Sequence, residues 1–297
     1  MTKREHPFTA RRGWAAARRL LPRDARLGAG LAIIVGLLIL GTVGPALVGP
    51  AGLRLGAAPY AQPPTTAHPF GTDTTGRDVL ALMVHGTIPT LMIGLLAGGI
   101  GTVIGVVLGL VSGYVRGPVD TVIRGTADVM VTIPILAILV VLTALLQTQS
   151  IELMALIIGL LAWPYSARAI RAQTLTLRER GFVTIAVLSG RNAFEVIFLE
   201  ILPNLLPYVT ASFVGAISGA IVAAVGLQLL GLGPITTPTM GLMLQYAFQY
   251  GAVARGMWWW WGPPALFLVL LFGGLFLISV ALDGYLNPRL RGVGASR

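Results

Sequence analysis

Four side chains that could ligate a metal ion lie within one polar stretch of the sequence. They are His68, Asp73, Asp78 and His85. Their spacing matches no standard ligand motif for zinc or calcium. The tripeptide Gly71-Thr72-Asp73 instead predicts a turn with a helix cap, because an Asp side chain accepts hydrogen bonds from backbone amides at such positions. We therefore predict no metal site here.

The sequence also lacks the residues that bind or hydrolyse a nucleotide. Its single lysine lies in the polar N-terminal tail, so it holds no glycine-rich loop with a phosphate-binding lysine. Gly99, Gly101 and Gly105 fall within an apolar run, where small residues allow helices to approach closely. Ser166 and Ser189 have no histidine nearby in the sequence to act as a base, and the chain has no cysteine. We predict that the chain is not an enzyme and carries no cofactor.

Six apolar runs are the elements that must position the polar segments, at 27–48, 88–113, 130–147, 153–165, 204–226 and 259–282. The chain is 55% hydrophobic and only 11% charged, and its mean hydropathy of +0.82 is typical of an integral membrane protein. Runs of about 20 residues can cross a hydrocarbon core of about 30 Å. Pro134 predicts a kink in the third run. The sequence therefore predicts an all-α membrane protein with six transmembrane helices.

The apolar runs contain no Asp, Glu, Lys, Arg or His. Proton- and sodium-coupled carriers commonly place such residues near the membrane midplane, and intramembrane metallo- or aspartyl proteases require them. Transport by this chain therefore calls for an external source of energy.

Basic residues are distributed unevenly between the two sides of the predicted helices. All but three of the 21 Lys and Arg residues fall on one side if the N-terminus is cytoplasmic, the exceptions being Arg54, Arg77 and Arg255. This asymmetry predicts cytoplasmic N- and C-termini in a cell membrane and explains the basic charge without nucleic acid. The run of tryptophans at 258–261 is predicted to form an aromatic belt at the outer interface.

One polar segment, residues 166–203, has regular structure of its own, and we call it the coupling loop. Arg168, Arg171 and Arg178 fall at helical spacing, and Gly181 predicts the end of that helix. A short helix is predicted at 182–188, ending at Ser189 and Gly190, and Pro203 should separate a third helix from the next span.

The start of that third helix carries a capping signal in Asn192 and Glu195. A stiff helix–glycine–helix device on the membrane surface suits the transmission of force from a soluble partner. A basic loop that only contacts anionic lipid is the alternative left open by the spacing.

The motifs are similar to those of a known family. His68-Pro-Phe-Gly-Thr-Asp-Thr-Thr-Gly-Arg-Asp-Val79 resembles the signature before the second span of C-type permease subunits of dipeptide and oligopeptide ABC importers. Residues 178–183 and 190–204 resemble the cytoplasmic loop of binding-protein-dependent permeases, and residues 286–291 resemble the closing motif. The resemblance implies a type I ABC importer permease fold.

The resemblance divides the chain into a cytoplasmic basic segment at 1–26, a first span with its loop at 27–87, a permease core at 88–283 and a cytoplasmic tail at 284–297. It implies a bacterial inner-membrane subunit that works with a second permease, two cytoplasmic ATPase domains and an extracytoplasmic substrate-binding protein. Peptides are the expected substrate. Nickel or another small solute, or a scaffold without transport, are the alternatives.

The resemblance also assigns residues to sites. The ATPase-coupling residues it implies are Arg178, Glu179, Arg180, Thr184, Ala186, Gly190, Arg191, Asn192 and Glu195, and the signature residues are Gly71, Thr72, Asp73, Gly76, Arg77 and Asp78. The family's usual acidic residue in this loop is replaced by Thr184, and Ile88 stands where the family often has Arg. Gln228, Gln245 and Tyr246 are expected on an outer surface beneath the docked binding protein.

Overall fold

The structure, a computed structural model, describes residues 25–146 and 150–286. Nine helices follow one another in this part of the chain: α1 Ala25–Val48, α2 Val79–Val115, α3 Gly117–Thr132, α4 Ile135–Leu146, α5 Ile151–Arg178, α6 Gly181–Leu188, α7 Ala193–Leu229, α8 Met240–Gln249 and α9 Trp258–Leu286. The predicted N-terminal basic segment, apart from its last residues, and the closing motif after Leu286 lie outside the described residues.

Five helices, α1, α2, α5, α7 and α9, are long and apolar enough to cross a membrane. The predicted third span is a pair of helices, α3 and α4, bent by 85°. The bend falls at Ile133 and Pro134, where the sequence predicted a kink, because proline cannot continue the hydrogen-bond ladder. The six predicted spans are thus five long helices and one broken pair.

Several helix boundaries differ from the predictions. α2 begins at Val79, nine residues before the apolar run, because the Asp78 carboxylate accepts a hydrogen bond of 2.9 Å from the Ala81 amide. The short fourth run is extended at both ends, as a run too short to cross a membrane requires, so that α5 begins at Ile151 and includes the first basic helix of the coupling loop. Pro203 does not separate two helices: α7 continues through it after a π-helical turn at Val196–Ile201.

α2 is the central helix and packs most closely against α5 and α7. A Cβ atom added at Gly105 would lie 2.5 Å from the Ser166 Cβ and 2.8 Å from the Trp163 carbonyl oxygen. A Cβ at Gly98 would lie 2.7 Å from the Ile217 amide of α7. These glycines allow backbone contact between helices, which is how helices associate where lipid removes the hydrophobic driving force. The predicted packing role is confirmed for Gly101 and Gly105 but not for Gly99, where an added Cβ would lie no closer than 3.9 Å to another helix.

Candidate coupling surface and outer loops

The short helix α6 is attached to the bundle by one face. Val183 and Ala186, one turn apart, are buried against a cluster that includes Ile170 of α5 and Ile201 of α7. The opposite face is apolar and open: Ile185 is 66% and Leu188 is 82% exposed. An exposed apolar helix face on a polar end of the molecule is typical of a protein interface.

Thr184 and Ala186 both belong to the predicted ATPase-coupling residues, but the structure places them on opposite faces of α6. Thr184 lies on the exposed face of α6, whereas Ala186 points into the bundle and anchors the helix. Phe194, at the start of α7, is 69% exposed and extends the apolar surface beyond Gly190. We call the exposed side chains of α6 together with Phe194 the coupling ridge.

Gly190 ends α6 in a Schellman motif. Its φ is +83°, a left-handed conformation that glycine adopts without a steric cost. The Arg191 amide donates to the Ala186 carbonyl at 3.2 Å and the Gly190 amide donates to the Val187 carbonyl at 3.0 Å. Gly181 does not end the preceding helix as predicted. It begins α6, since α5 stops at Arg178 with right-handed backbone at Glu179.

The predicted capping box at the start of α7 is present. The Asn192 side chain accepts from the Glu195 amide at 2.9 Å, and the Glu195 carboxylate accepts from the Asn192 amide at 3.0 Å. Arg191 forms an ion pair with Glu200, nine positions further on and within the π-helical segment. The chain between α6 and α7 is therefore fixed by backbone, capping and ionic contacts in succession.

The basic stripe of α5 is mostly engaged within the chain. Arg171 binds Asp120 of α3 through two hydrogen bonds of 2.6 and 2.7 Å, and Arg168 contacts Asp128 at 2.5 Å. The Arg178 guanidinium lies 5.3 Å from the centre of the Tyr114 ring. The two arginine–aspartate pairs hold α3 against α5, and the Arg178–Tyr114 contact joins α5 to α2, which the spacing of the arginines alone did not indicate.

Two further charges of the coupling loop lie at its surface. Glu179, with its side chain 72% exposed, pairs with Arg116 at 2.9 Å. Arg180 is exposed, and within the part of the chain that the structure covers it has no ion-pair partner.

The family signature builds the fold of the first long loop, residues 49–78. The buried Asp73 carboxylate accepts from the Thr75 amide at 2.7 Å, the Arg77 amide at 2.9 Å and the Arg77 Nε at 2.8 Å. Asp73 therefore closes a turn, as predicted, but the helix cap is Asp78. His68 Nδ1 lies 2.6 Å from that same Asp78 carboxylate.

The glycines of the family signature lie where another part of the backbone comes too close to leave room for a side chain. Gly71 and Gly76 have φ of +65° and +73°, and a Cβ on either would lie 2.5 Å from a carbonyl oxygen. Thr72 donates a hydrogen bond of 2.6 Å to the Pro59 carbonyl. His85 lies apart, with Nε2 3.1 Å from the Gly49 carbonyl. Over residues 25–146 and 150–286, no three His, Asp or Glu side chains are grouped as metal ligands.

Two side chains that flank the second long loop, residues 230–257, are buried and not at the surface as predicted. Gln228 is only 3% exposed, and its Oε1 accepts from the Thr239 hydroxyl at 3.0 Å. Within the tryptophan run, Trp258 is 59% exposed but Trp260 is fully buried. Trp259 donates to the Thr72 carbonyl at 3.3 Å. Trp259 therefore contacts the first long loop, and Trp260 lies within the bundle.

A cavity of about 450 Å³ opens between α4, α5 and α7. Its lining is mostly small and apolar, with hydroxyls from Tyr165, Ser166 and Ser212 and bare backbone at Gly215 and Gly219. This cavity was not predicted from the sequence. The small residues along one side of α7 were the only signal for it, because they leave a helix face without side-chain bulk.

Comparison with known proteins gives consistent results. Residues 105–292 match the profile of a family described as the binding-protein-dependent transport system inner membrane component. The dipeptide transport system permease protein DppC of Bacillus subtilis is 29% identical over 275 residues, covering 92% of this chain and 85% of that protein. The oligopeptide transport system permease protein OppC of Lactococcus lactis is 29% identical over 219 residues, covering 73% and 74%.

A solved structure shares the fold. A chain of the MetNI methionine ABC transporter, in an inward-facing conformation, aligns with a TM-score of 0.54 at 21% identity. The alignment covers 68% of this chain and 93% of that one.

Proposed function

The chain belongs to the binding-protein-dependent transport system inner membrane component family, and from this membership we propose that it is the permease subunit of an ATP-driven importer of peptides. The similarity to dipeptide and oligopeptide permeases over most of the chain supports peptides as the substrate class. The chain contributes no nucleotide-binding motif of its own. Energy then comes from two cytoplasmic ATPase domains.

The coupling ridge is the observation that carries this proposal. Its exposed apolar side chains stand on a helix that is fixed to α5 and α7 by Val183 and Ala186. A partner that grips the ridge can therefore move both long helices, because packed helices transmit displacement as rigid bodies. The coupling residues from Arg178 to Glu195 act in this proposal as the hinge and support of that contact.

The arrangement favours force transmission over a lipid-anchoring role for the loop. A lipid anchor needs free cationic side chains at the membrane surface. Arg168, Arg171 and Arg191 instead each pair with a carboxylate of this chain. Their charge is largely neutralised, while the apolar ridge remains open to a protein partner.

The cavity between α4, α5 and α7 is the proposed half of the translocation pathway. A second permease, facing the same cavity, would complete it, and a substrate-binding protein would deliver the peptide from the side of the first long loop. The lining has hydroxyls but no charged side chain. Such a lining lets a polar solute pass without binding it tightly.

Uptake by the complete importer tests the proposed function. Membrane vesicles containing this chain, a second permease, the ATPases and the binding protein should accumulate labelled dipeptide or oligopeptide only with ATP. Accumulation of nickel or another small solute but not of peptide would show that this solute, and not a peptide, is the substrate. A complex that forms but moves none of them would leave a scaffold as the function.

Labelling of single cysteines tests the orientation. The chain has no cysteine of its own, and both Arg54 and Arg180 are exposed. We expect an impermeant thiol reagent added to intact cells to label Arg54→Cys and to label Arg180→Cys only after the membrane is opened. Labelling of Arg180→Cys but not of Arg54→Cys in intact cells would show that the topology is the opposite of the predicted one.

A further inference from the structure

A second, smaller cavity lies at the end of the bundle that holds the first long loop. Its volume is about 100 Å³, and it is bounded by that loop, by α8 with the segment before it, and by the start of α9. Four polar side chains reach its wall: Arg77, Thr236, Tyr246 and Trp260. The rest of the lining is apolar. The space suits a group of a few atoms, since a water molecule takes about 30 Å³ of liquid volume.

Arg77 is held in place but not fully used. Its Nε donates to Asp73 at 2.8 Å, and its guanidinium carbon lies 5.2 Å from the centre of the Tyr246 ring. The side chain is only 16% exposed. Across the described residues, no hydrogen bond reaches its two terminal nitrogens. A fixed guanidinium with free terminal donors matches the geometry of a carboxylate.

Trp260, which also lines the cavity, has a second unused donor. Its side chain is fully buried, and its Nε1 is a buried donor for which the described chain offers no acceptor. The ring itself is held by stacking on Tyr250, with centroids 6.3 Å apart. Buried tryptophan nitrogens usually find a partner, because an unmet buried donor costs free energy. This one is available to a ligand acceptor.

The charge of the lining residues determines which kind of ligand acceptor the cavity favours. No Asp or Glu is among the residues that line the cavity; Asp73, which pairs with the Nε of Arg77, lies outside the lining and offsets part of the guanidinium charge. Arg77 and Trp260 only donate, and the hydroxyls of Thr236 and Tyr246 can donate as well. A neutral carbonyl would form weaker bonds here than an anion, since charge-assisted hydrogen bonds are about twice as strong.

We propose that this cavity is a carboxylate-binding site, with Arg77 and Trp260 as its donors. It is separate from the coupling ridge and from the cavity between α4, α5 and α7. The carboxylate can come from two sources: the C-terminus of a carried peptide, or an acidic side chain of the substrate-binding protein docked on this end. The choice of source rests on the proposed function, but the site itself does not.

Titration of the isolated full-length chain with acetate tests the site. The six tryptophans are labelled with ¹⁵N in the indole ring, and the resonance of Trp260 is assigned by its loss in Trp260→Phe. We expect acetate to shift that resonance in a saturable way, and equal concentrations of chloride or the neutral isostere acetamide to leave it in place. No saturable shift with acetate, or an equal shift with acetamide, would overturn the proposal.

Substitution of Arg77 provides the second measurement. Arg77→Gln should weaken acetate binding about tenfold or more, because a hydrogen bond to a charged group is lost. Arg54→Gln, an exposed arginine in the same loop, is the matched control and should not change it. If Arg77→Gln disturbs the other indole resonances, Arg77→Lys replaces it and should also weaken binding, since the lysine ammonium lacks the two parallel, coplanar N–H donors that a guanidinium presents to a carboxylate. Unchanged acetate affinity in the folded variant would contradict the assignment.

Two further measurements on the complete importer identify the source. If the peptide C-terminus is the ligand, Trp260→Phe raises the KM for a free peptide but not for its C-terminal amide. If the binding protein supplies the carboxylate, Trp260→Phe weakens its association with the permease equally with either peptide bound. Wild-type KM and wild-type association together, in Trp260→Phe and in an Arg77 variant that has lost acetate binding, would overturn any role of the site in this importer.

Discussion

Gly105→Val should abolish the folded state of this permease, whereas Gly99→Val should leave it nearly unchanged. A side chain at position 105 would meet the Ser166 Cβ at 2.5 Å and the Ala167 amide nitrogen at 2.9 Å. Neither backbone can yield without separating α2 from α5. Forced overpacking of a close contact costs about 3 kcal/mol or more, which is a large part of the stability of an ordinary domain.

Position 99 is the control because it lies on the same helix and differs only in what surrounds it. The nearest atom to a Cβ there is on the Phe213 ring, at 3.9 Å, which is ordinary contact. The measurement is the fraction of protein that remains monodisperse after detergent extraction and its melting temperature. Equal loss in both variants would show that valine in this helix is harmful for reasons other than the α2–α5 contact.

Gly190→Val should leave the protein folded in the membrane but remove transport. The backbone there has φ of +83°, and no atom lies within 4 Å of an added Cβ. The cost is therefore conformational, about 1–3 kcal/mol for a β-branched residue in the left-handed region. A cost of about 2 kcal/mol reduces the population of the native helix ending roughly 30-fold. That helix ending sets the orientation of α6 relative to α7. When it is lost, the coupling ridge no longer has a fixed position.

Two substitutions separate this effect from a general sensitivity of the loop. Gly181→Ala changes a glycine with equally open surroundings and right-handed backbone, so it should transport normally. Gly190→Asn should restore much of the activity, because asparagine tolerates the left-handed region. Uptake and retention of the ATPase on affinity-purified permease are the readouts. A silent Gly190→Val together with a damaging Arg178→Glu would favour the lipid-anchoring function instead.

Local signals predicted much of what the structure contains. The capping box at Asn192 and Glu195, the break at Pro134 and the helix ending at Gly190 depend on a few neighbouring residues and on backbone stereochemistry. The membrane class and the six apolar runs follow from hydropathy, because each span must satisfy its own backbone hydrogen bonds in lipid. Such features do not depend on contacts with distant parts of the chain.

The faces of the helices were decided only by tertiary packing. Ala186 points inward, Trp260 and Gln228 are buried, and Arg171 pairs with an aspartate 51 positions away. In a soluble helix the apolar stripe marks the buried side, but lipid is as apolar as the protein interior, so an apolar span carries no such stripe. The side that meets another helix is therefore set by which small residues allow close approach. That choice depends on partners distant in the sequence, and the two cavities, which lie where helices stay apart, depend on it too.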